Sequence, residues 1–244
     1  MKGLLQRHSA LLYVGLAALA ALLYVQTLGY GLVALDDPWL LRDNSLLQEP
    51  SWQSLAALCC DLSAATRYRL GAEFLPVRDL SVMLDFALFG HRWGAHHGTN
   101  VLLYGLACGL LALALARWLR RRDLALAIAA LWAAHPLHVE SVAWLSERKG
   151  LLAALFAFAC LAAFQRFCER GGLGRWLLTA LALLAAIFSK GLALAFVGVL
   201  ALFVWLLPVP GAPRRRAWLG VAALVPVCAG AFVPLWIAGN RLAM

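Results

Sequence analysis

Residues 10–37 read ALLYVGLAALAALLYVQTLGYGLVALDD, an apolar run that ends on two adjacent carboxylates, Asp36 and Asp37. The run is long enough to cross a membrane, since about 20 apolar residues span the hydrocarbon core of a bilayer. A charge costs roughly 2.5–3.5 kcal/mol at the centre of a bilayer and much less at its surface. We therefore predict that the chain leaves the membrane at this acidic pair.

The composition of the whole chain is that of a membrane protein. Its 244 residues are 64% hydrophobic and 14% charged, with a mean hydropathy of +0.80, which lies far outside the range of soluble domains. This composition predicts an all-α fold, a polytopic membrane helix bundle that forms a single transmembrane domain over residues 1–244. The net charge of +9 does not indicate nucleic acid, because the basic residues are spread between apolar runs and form no single patch.

The apolar runs predict about seven transmembrane helices, with several residues of error at each end. The predicted spans are residues 10–32, 99–118, 124–134, 151–167, 176–188, 192–207 and 218–237. Residues 36–98 form the longest connection, in which a serine before periodic apolar residues predicts an amphipathic surface helix at 51–62. Residues 76–90 are fairly apolar but contain three charged side chains, so we predict an interfacial or re-entrant helix there.

The arginines predict the orientation, because cytoplasmic loops of membrane proteins carry an excess of basic residues. With a cytoplasmic N-terminus, the inner segments contain Lys2, Arg7, Arg117, Arg120, Arg121, Arg122, Arg166, Arg170, Arg175, Arg214, Arg215 and Arg216, with Asp123 and Glu169 as their acidic residues. The opposite orientation would place these clusters outside. We therefore predict that the acidic pair and residues 36–98 face the outer side.

An ordered series of short motifs resembles one family. The motifs are Asp36-Asp37, PVRDLS at 76–81, LDFALFG at 84–90, HGTN at 97–100, HPLHVESVA at 135–143, ERK at 147–149 and Ser189-Lys190. Together they look like the successive motifs of the transmembrane-and-tetratricopeptide-repeat O-mannosyltransferases and their bacterial relatives, which belong to the C-type glycosyltransferase superfamily. The resemblance covers about residues 28–207 and implies a multi-pass protein whose site faces the outer side of the membrane. The Ala-, Leu- and Arg-rich composition suits a GC-rich bacterium, so we expect the bacterial inner membrane, with the site facing the periplasm.

The resemblance implies transfer of a sugar from a polyprenyl-phosphate donor to a hydroxyl of a protein or glycan. Such a reaction needs a base for the hydroxyl proton and cations for the departing phosphate. Asp36 or Asp37 suits the base. The residues expected to contact substrate are Arg78, His97, Asn100, His135, His138, Glu140, Arg148, Lys149 and Lys190. The other expected partner is membrane lipid.

Several of these residues have a structural role as an equal alternative. Asp37 with Pro38 suits the cap of a surface helix, and Asp36 suits an ion pair with an arginine. His97 and Asn100 lie one turn apart, which also suits hydrogen bonding between helices.

The histidines of the 135–143 motif raise the question of a metal ion. His135, His138 and Glu140 are residue types that bind zinc or manganese. Because Pro136 interrupts helical i,i+3 spacing, we expect them to hydrogen-bond to sugar, phosphate or backbone and assign no metal ligand. Some C-type glycosyltransferases use a divalent cation, Mg or Mn, and others do not, and the sequence leaves both possibilities open.

Three residues depart from the family pattern. Asp79 replaces a proline after arginine, Gly150 an acidic residue after Arg-Lys, and Gly191 the glutamate after Ser-Lys. The chain also has no helical repeat of 34 residues, so we expect a truncated member or a fragment. The alternative function is a catalytically inactive module that binds lipid-linked sugar or acts as a scaffold. A transporter fits less well, because the ionisable residues gather at one membrane face.

Overall fold

The computed structural model describes residues 2–207, 209 and 212–243, with side chains from residue 11 to residue 241 in those ranges. The structure is 82% helical, and no strand occurs among the described residues, so the all-α prediction is confirmed. The α-helices are α1 Lys2–Leu22, α2 Ser45–Gln48, α3 Trp52–Cys60, α4 Ala64–Arg69, α5 Pro76–Phe89, α6 Trp93–Leu119, α7 Arg122–Ala133, α8 His138–Ala143, α9 Arg148–Arg170, α10 Leu173–Ile187, α11 Phe196–Leu206 and α12 Arg214–Ala243. The side chains of Lys2 and Arg7, used above for the orientation, lie outside the described part.

Helices α6 and α9 run parallel and define two ends of the bundle. Where both begin, Arg148 Nε donates to Asn100 Oδ1 at 2.7 Å. Where both end, Gln165 Nε2 donates to the carbonyl oxygen of Arg117 at 3.1 Å. We call the end where both helices begin the Asp37 end, since Asp37 contacts the turn before α9. The end where both helices end is called the Arg117 end. Helices α1, α7, α10, α11 and α12 also run between them, so the described chain passes alternately from one end to the other.

Three described helices are long and apolar enough to cross a membrane. They are α6 with 27 residues, α9 with its preceding turn (Leu145–Arg170, 26 residues) and Arg214–Arg241 with 28. Leu11–Leu22, Leu173–Ile187 and Gly191–Leu206 are apolar but shorter, and α7 has 12 residues. The structure therefore shows a membrane helix bundle with three candidate spans, and the number seven stays a prediction.

The first helix ends earlier than the apolar run predicts. It stops at Leu22, a 3₁₀ turn follows at Val25–Gly29, and the chain then continues without helix. The 3₁₀ turn lies against the start of α6, where a Cβ added at Gly94 would clash with the carbonyl oxygen of Leu28. Tyr24 packs on Tyr104 of α6, with ring centroids 5.0 Å apart, whereas Leu23, Val25 and Leu28 stay exposed. Hydropathy alone does not distinguish such a turn from the continuation of a helix.

The two helices predicted within residues 36–98 are present. Ser51 caps α3, accepting a hydrogen bond at 3.0 Å from the backbone nitrogen of Ser54, as expected for an N-cap serine. Helix α5 starts with Pro76, a favoured residue at the first helical position, and its charged side chains Arg78, Asp79 and Asp85 are buried. The position of both helices relative to a membrane stays a prediction.

Close packing of α1 on α6 depends on glycine. Gly105 and Gly109 form a GxxxG pair, the spacing that lets membrane helices approach closely. A Cβ at Gly105 would lie 2.6 Å from the carbonyl oxygen of Ala17, whereas a Cβ at Gly15 on α1 would meet nothing within 4 Å.

We therefore expect Gly105→Ala to destabilise the protein by about 1–3 kcal/mol, because α1 must shift away. Gly15→Ala, the matched control, should be neutral or slightly stabilising because alanine favours helix. Denaturant unfolding in detergent would measure both. Equal stability of the two variants would contradict the close packing.

Candidate active site at the Asp37 end

Asp37 ties the end of the first segment to the turn before α9. Its carboxylate is 0% exposed and accepts hydrogen bonds from Val33 N at 2.9 Å, Ser146 N at 2.9 Å and Ser146 Oγ at 2.5 Å. The neighbouring Asp36 is exposed. These bonds bring Asp36 to the end of the bundle that also holds Arg148 and Lys149, which follow Ser146 closely in the chain.

Arg148 forms a buried ionic cluster. It is 1% exposed, and its Nη2 lies 2.6 Å from Asp85 Oδ2. Its remaining donors reach Asn100 Oδ1 at 2.7 Å and the carbonyl oxygen of His96 at 2.9 Å, while Asp85 also accepts from Thr99 Oγ1 at 2.9 Å. The cluster joins α5, α6 and α9, so Asn100 and Arg148, which were each predicted to contact substrate, meet inside the protein.

A second set of charges reaches the surface, and we name it the charge chain: Arg78, Glu73, Lys149, Glu147 and Lys190. Lys149 Nζ lies 2.9 Å from Glu73 Oε2 and 3.4 Å from Glu147 Oε1. Lys190 Nζ, on a side chain that is 34% exposed, lies 3.0 Å from Glu147 Oε2. Arg78 Nη1 lies 3.1 Å from Glu73 Oε2. Predicted cations from three distant stretches thus belong to one ionic network, in which the two lysines are partly exposed and Arg78 is buried.

Arg78 and Asp79 form the buried root of the charge chain. Arg78 Nε donates to Asp79 Oδ1 at 2.8 Å, and its Nη2 donates to the carbonyl oxygen of Leu70 at 2.6 Å. Burial raises the pKa of Asp79, an effect that the adjacent Arg78 cation opposes. The Asp79 departure therefore supplies a counter-ion for Arg78, whose guanidinium is directed into the protein.

Gly150 leaves space beside the charge chain. A Cβ there would lie 3.5 Å from Ser141 Oγ, 3.7 Å from Glu147 Oε2 and 3.9 Å from Lys190 Nζ. A Cβ at Gly191 would instead face Leu235 of α12 at 3.6 Å. Only the first of these two departures borders the charged surface directly.

The predicted histidines lie apart from the charge chain. His97 is buried, and its Nε2 is 3.1 Å from the carbonyl oxygen of Gly31. His138 is half-buried against Trp132, with ring centroids 4.1 Å apart, and burial lowers its pKa, an effect that the nearby His135 reinforces. His135 and Glu140 are exposed. Among the described residues, no three His, Cys, Asp or Glu side chains are grouped to hold a metal ion.

Three carboxylates of the two clusters were not predicted as site residues: Glu73, Glu147 and Asp85. Asp85 and Glu147 stand inside quoted motifs, and Glu73 stands in none. The buried cations could have indicated that acidic partners exist, because a buried cation needs a counter-ion. The sequence did not indicate which carboxylate pairs with which cation, since partners such as Glu73 and Lys149 are 76 positions apart.

This geometry defines a membrane helix bundle with an ionic site at one end. The chain is similar to curated O-mannosyltransferases. It is 29% identical over 182 residues to Protein O-mannosyl-transferase Tmtc1 of Drosophila melanogaster (74% of this chain, 21% of that protein), and 31% identical over 194 residues to Protein O-mannosyl-transferase Tmtc2 of the same fly (76% and 21%). Protein O-mannosyl-transferase tmtc2 of Xenopus laevis is 26% identical over 156 residues (64% and 19%).

These comparisons confirm the resemblance predicted from the motifs. The chain spans about a fifth of the length of these relatives. No protein-family model and no solved structure matches it.

Proposed function

We propose that this chain is the membrane module of a glycosyltransferase that moves a sugar from a polyprenyl-phosphate donor to a hydroxyl of a protein or glycan. The observation that supports this most is the contact of Asp37 with Ser146, because it brings exposed Asp36 to the same end as Lys149 and Lys190. The similarity to O-mannosyltransferases supports mannose as the sugar.

The proposed setting is the inner membrane of a bacterium, with the N-terminus in the cytoplasm and the Asp37 end facing the periplasm. Arginines gather at the opposite end, where Arg216 Nη1 donates to the carbonyl oxygen of Cys168 at 3.1 Å and the carbonyl oxygen of Arg117 accepts from Gln165 Nε2. The positive-inside rule assigns such an end to the cytoplasm.

In the proposed reaction, the acceptor hydroxyl oxygen forms a bond to the anomeric carbon of the sugar while the bond from that carbon to the phosphate oxygen breaks. Asp36 takes the hydroxyl proton as general base. The electron pair of the broken bond leaves on the polyprenyl phosphate, whose growing negative charge is stabilised by fixed cations. Asp37, fully hydrogen-bonded, holds Asp36 in place.

Lys149 and Lys190 are the proposed phosphate contacts. Both are partly exposed, whereas the guanidinium groups of Arg78 and Arg148 are buried with their own acidic partners. Because Glu73 and Glu147 neutralise the lysines in this structure, binding of a phosphate exchanges one anion for another. Of the remaining predicted contacts, we propose that the buried His97 and Asn100 support the substrate site from inside the protein, and that the more accessible His135, His138 and Glu140 contact the substrate.

We expect Lys190→Gln to weaken binding of polyprenyl-phosphate mannose by roughly 10- to 100-fold, since a hydrogen bond to a charged group contributes about 1.5–3 kcal/mol. Titration of the purified protein with the donor would measure this. Arg42→Gln is the control, because Arg42 is an exposed cation of the 36–98 connection that pairs with Asp43 and with no residue of the charge chain. Equal donor affinity for wild type and Lys190→Gln would count against the phosphate site.

A second candidate function is a catalytically inactive module that binds the lipid-linked sugar. It is favoured by Gly150, because the family's acidic side chain is missing beside Lys190. Both functions require donor binding and only the first requires turnover. Donor binding without any transfer would favour the inactive module.

A further inference from the structure

The Arg117 end contains a cavity that the proposed transferase reaction does not use. Its volume is about 450 Å³, within the range of small-molecule sites, and it opens between the ends of α6 and α9 and the start of α10. The residues that line it are Arg117, Ala163, Gln165, Arg166, Glu169, Arg170, Arg175 and Leu178. Four guanidinium groups therefore surround a single carboxylate.

The positive charge of this cavity is not balanced by the protein. Within the described residues, none of the four guanidinium groups lies within 4 Å of a carboxylate oxygen. Glu169 instead accepts a hydrogen bond from Gln165 Nε2 at 3.1 Å. Each guanidinium carries five N–H donors, and Arg175 uses one on the carbonyl oxygen of Gly171 at 2.8 Å.

Helix ends explain only part of this arginine cluster. Arg117 and Arg170 lie in the last turns of α6 and α9, where cations complement the partial negative charge of a helix C-terminus. Arg175 lies in the first turn of the 15-residue α10, where the helix already presents partial positive charge. Gly171 and Gly172, at φ +65° and +94°, make the tight turn that places this cation beside the others.

Gln165 adds a second kind of recognition. It lines the cavity and is 4% exposed, yet its Oε1 has no hydrogen-bond partner. A buried acceptor without a donor costs free energy. A hydroxyl group on a bound ligand would supply the missing donor, while its phosphate would pair with the arginines.

We propose that this cavity binds a phosphate ester that carries a hydroxyl group, such as the headgroup of phosphatidylglycerol or a free glycerol phosphate. Both ligands have the same two recognised groups. An anionic phosphate would pair with the arginines and the α10 N-terminus, and a hydroxyl would donate to Gln165. The site lies at the opposite end of the bundle from Asp36 and is independent of the transferase reaction.

The test uses the full chain in nanodiscs of phosphatidylcholine with a minor share of phosphatidylglycerol, with retained lipid counted by native mass spectrometry. The Arg117→Gln/Arg166→Gln variant removes two cavity arginines. The control variant, Arg120→Gln/Arg122→Gln, removes two exposed arginines from the same end that do not line the cavity. Arg175→Gln is a milder cavity variant at an exposed position, and thermal unfolding verifies that each variant is folded.

We expect phosphatidylglycerol to be retained in preference to phosphatidylcholine, with retention falling roughly tenfold in the cavity double variant and little in its control. Glycerol 1-phosphate and inorganic phosphate are titrated separately. If they bind and require the cavity arginines while the lipid is not retained, the ligand is a soluble phosphate and the site stands. Equal loss in the cavity and control variants, or no binding of any phosphate probe, would overturn the proposal.

Discussion

Replacement of Asp36 by Asn is expected to lower the rate of sugar transfer by roughly 10²–10⁴-fold, the usual contribution of a general base. Asn has nearly the same shape but takes no proton. Because Asp36 is exposed, its substitution should change the free energy of unfolding by less than about 0.5 kcal/mol. Single-turnover transfer from radiolabelled polyprenyl-phosphate mannose, beside a denaturant titration, would measure both quantities.

Asp37→Asn is the matched control for this experiment. The amide nitrogen of Asn replaces one of the two oxygens of Asp37 and cannot accept the hydrogen bonds that this oxygen receives from Val33 or from Ser146. We expect a loss of about 1–3 kcal/mol in stability, the penalty of leaving a buried donor unsatisfied. Full transfer activity in Asp36→Asn would exclude Asp36 as the base, and unchanged stability in Asp37→Asn would contradict its structural role.

Arg148→Met is expected to cause the largest loss of stability, about 3–5 kcal/mol, because it leaves Asp85 buried without its cation. Net stabilities of proteins are about 5–15 kcal/mol, so this loss is a large fraction of the total. Thermal unfolding in detergent would measure it. Arg92→Met, which alters an exposed arginine beside the same cluster, should have little effect.

A double replacement distinguishes the cost of an unpaired buried charge from the cost of changing the side-chain packing. Arg148→Met/Asp85→Leu removes both charges together, and replacing both partners of a buried pair by apolar residues is often neutral. We therefore expect the double variant to recover most of the stability lost in Arg148→Met. If Arg148→Met and Arg92→Met are equally stable, Arg148 is not the structural cation that the distances indicate.

The helices of this protein were largely predictable, because apolar periodicity and local capping mark them in the sequence. Ser51 ahead of α3 and Pro76 at the start of α5 are local signals of this kind. The end of the first helix at Leu22 was not predictable, because the 3₁₀ turn that follows it lies against α6 at Gly94. That contact depends on a distant part of the chain.

The candidate site was predictable by region and not by individual side chain. Asp36 and Asp37 are neighbours of one residue type, yet one is exposed and the other is fully buried. Arg148 and Lys149 are neighbours too, and successive residues of a helix point about 100° apart. Arg148 therefore faces Asp85 inside the protein while Lys149 faces Glu73. Residue types alone did not reveal which cation stayed accessible.

An experimental structure with a non-transferable polyprenyl-phosphate mannose analogue bound would test the central claim most directly. We expect its phosphate within about 3 Å of Lys149 Nζ or Lys190 Nζ, the ordinary distance of a charge-assisted hydrogen bond, with the sugar's anomeric carbon facing Asp36. A phosphate bound away from both lysines, or an Asp36 carboxylate directed away from the sugar, would contradict it.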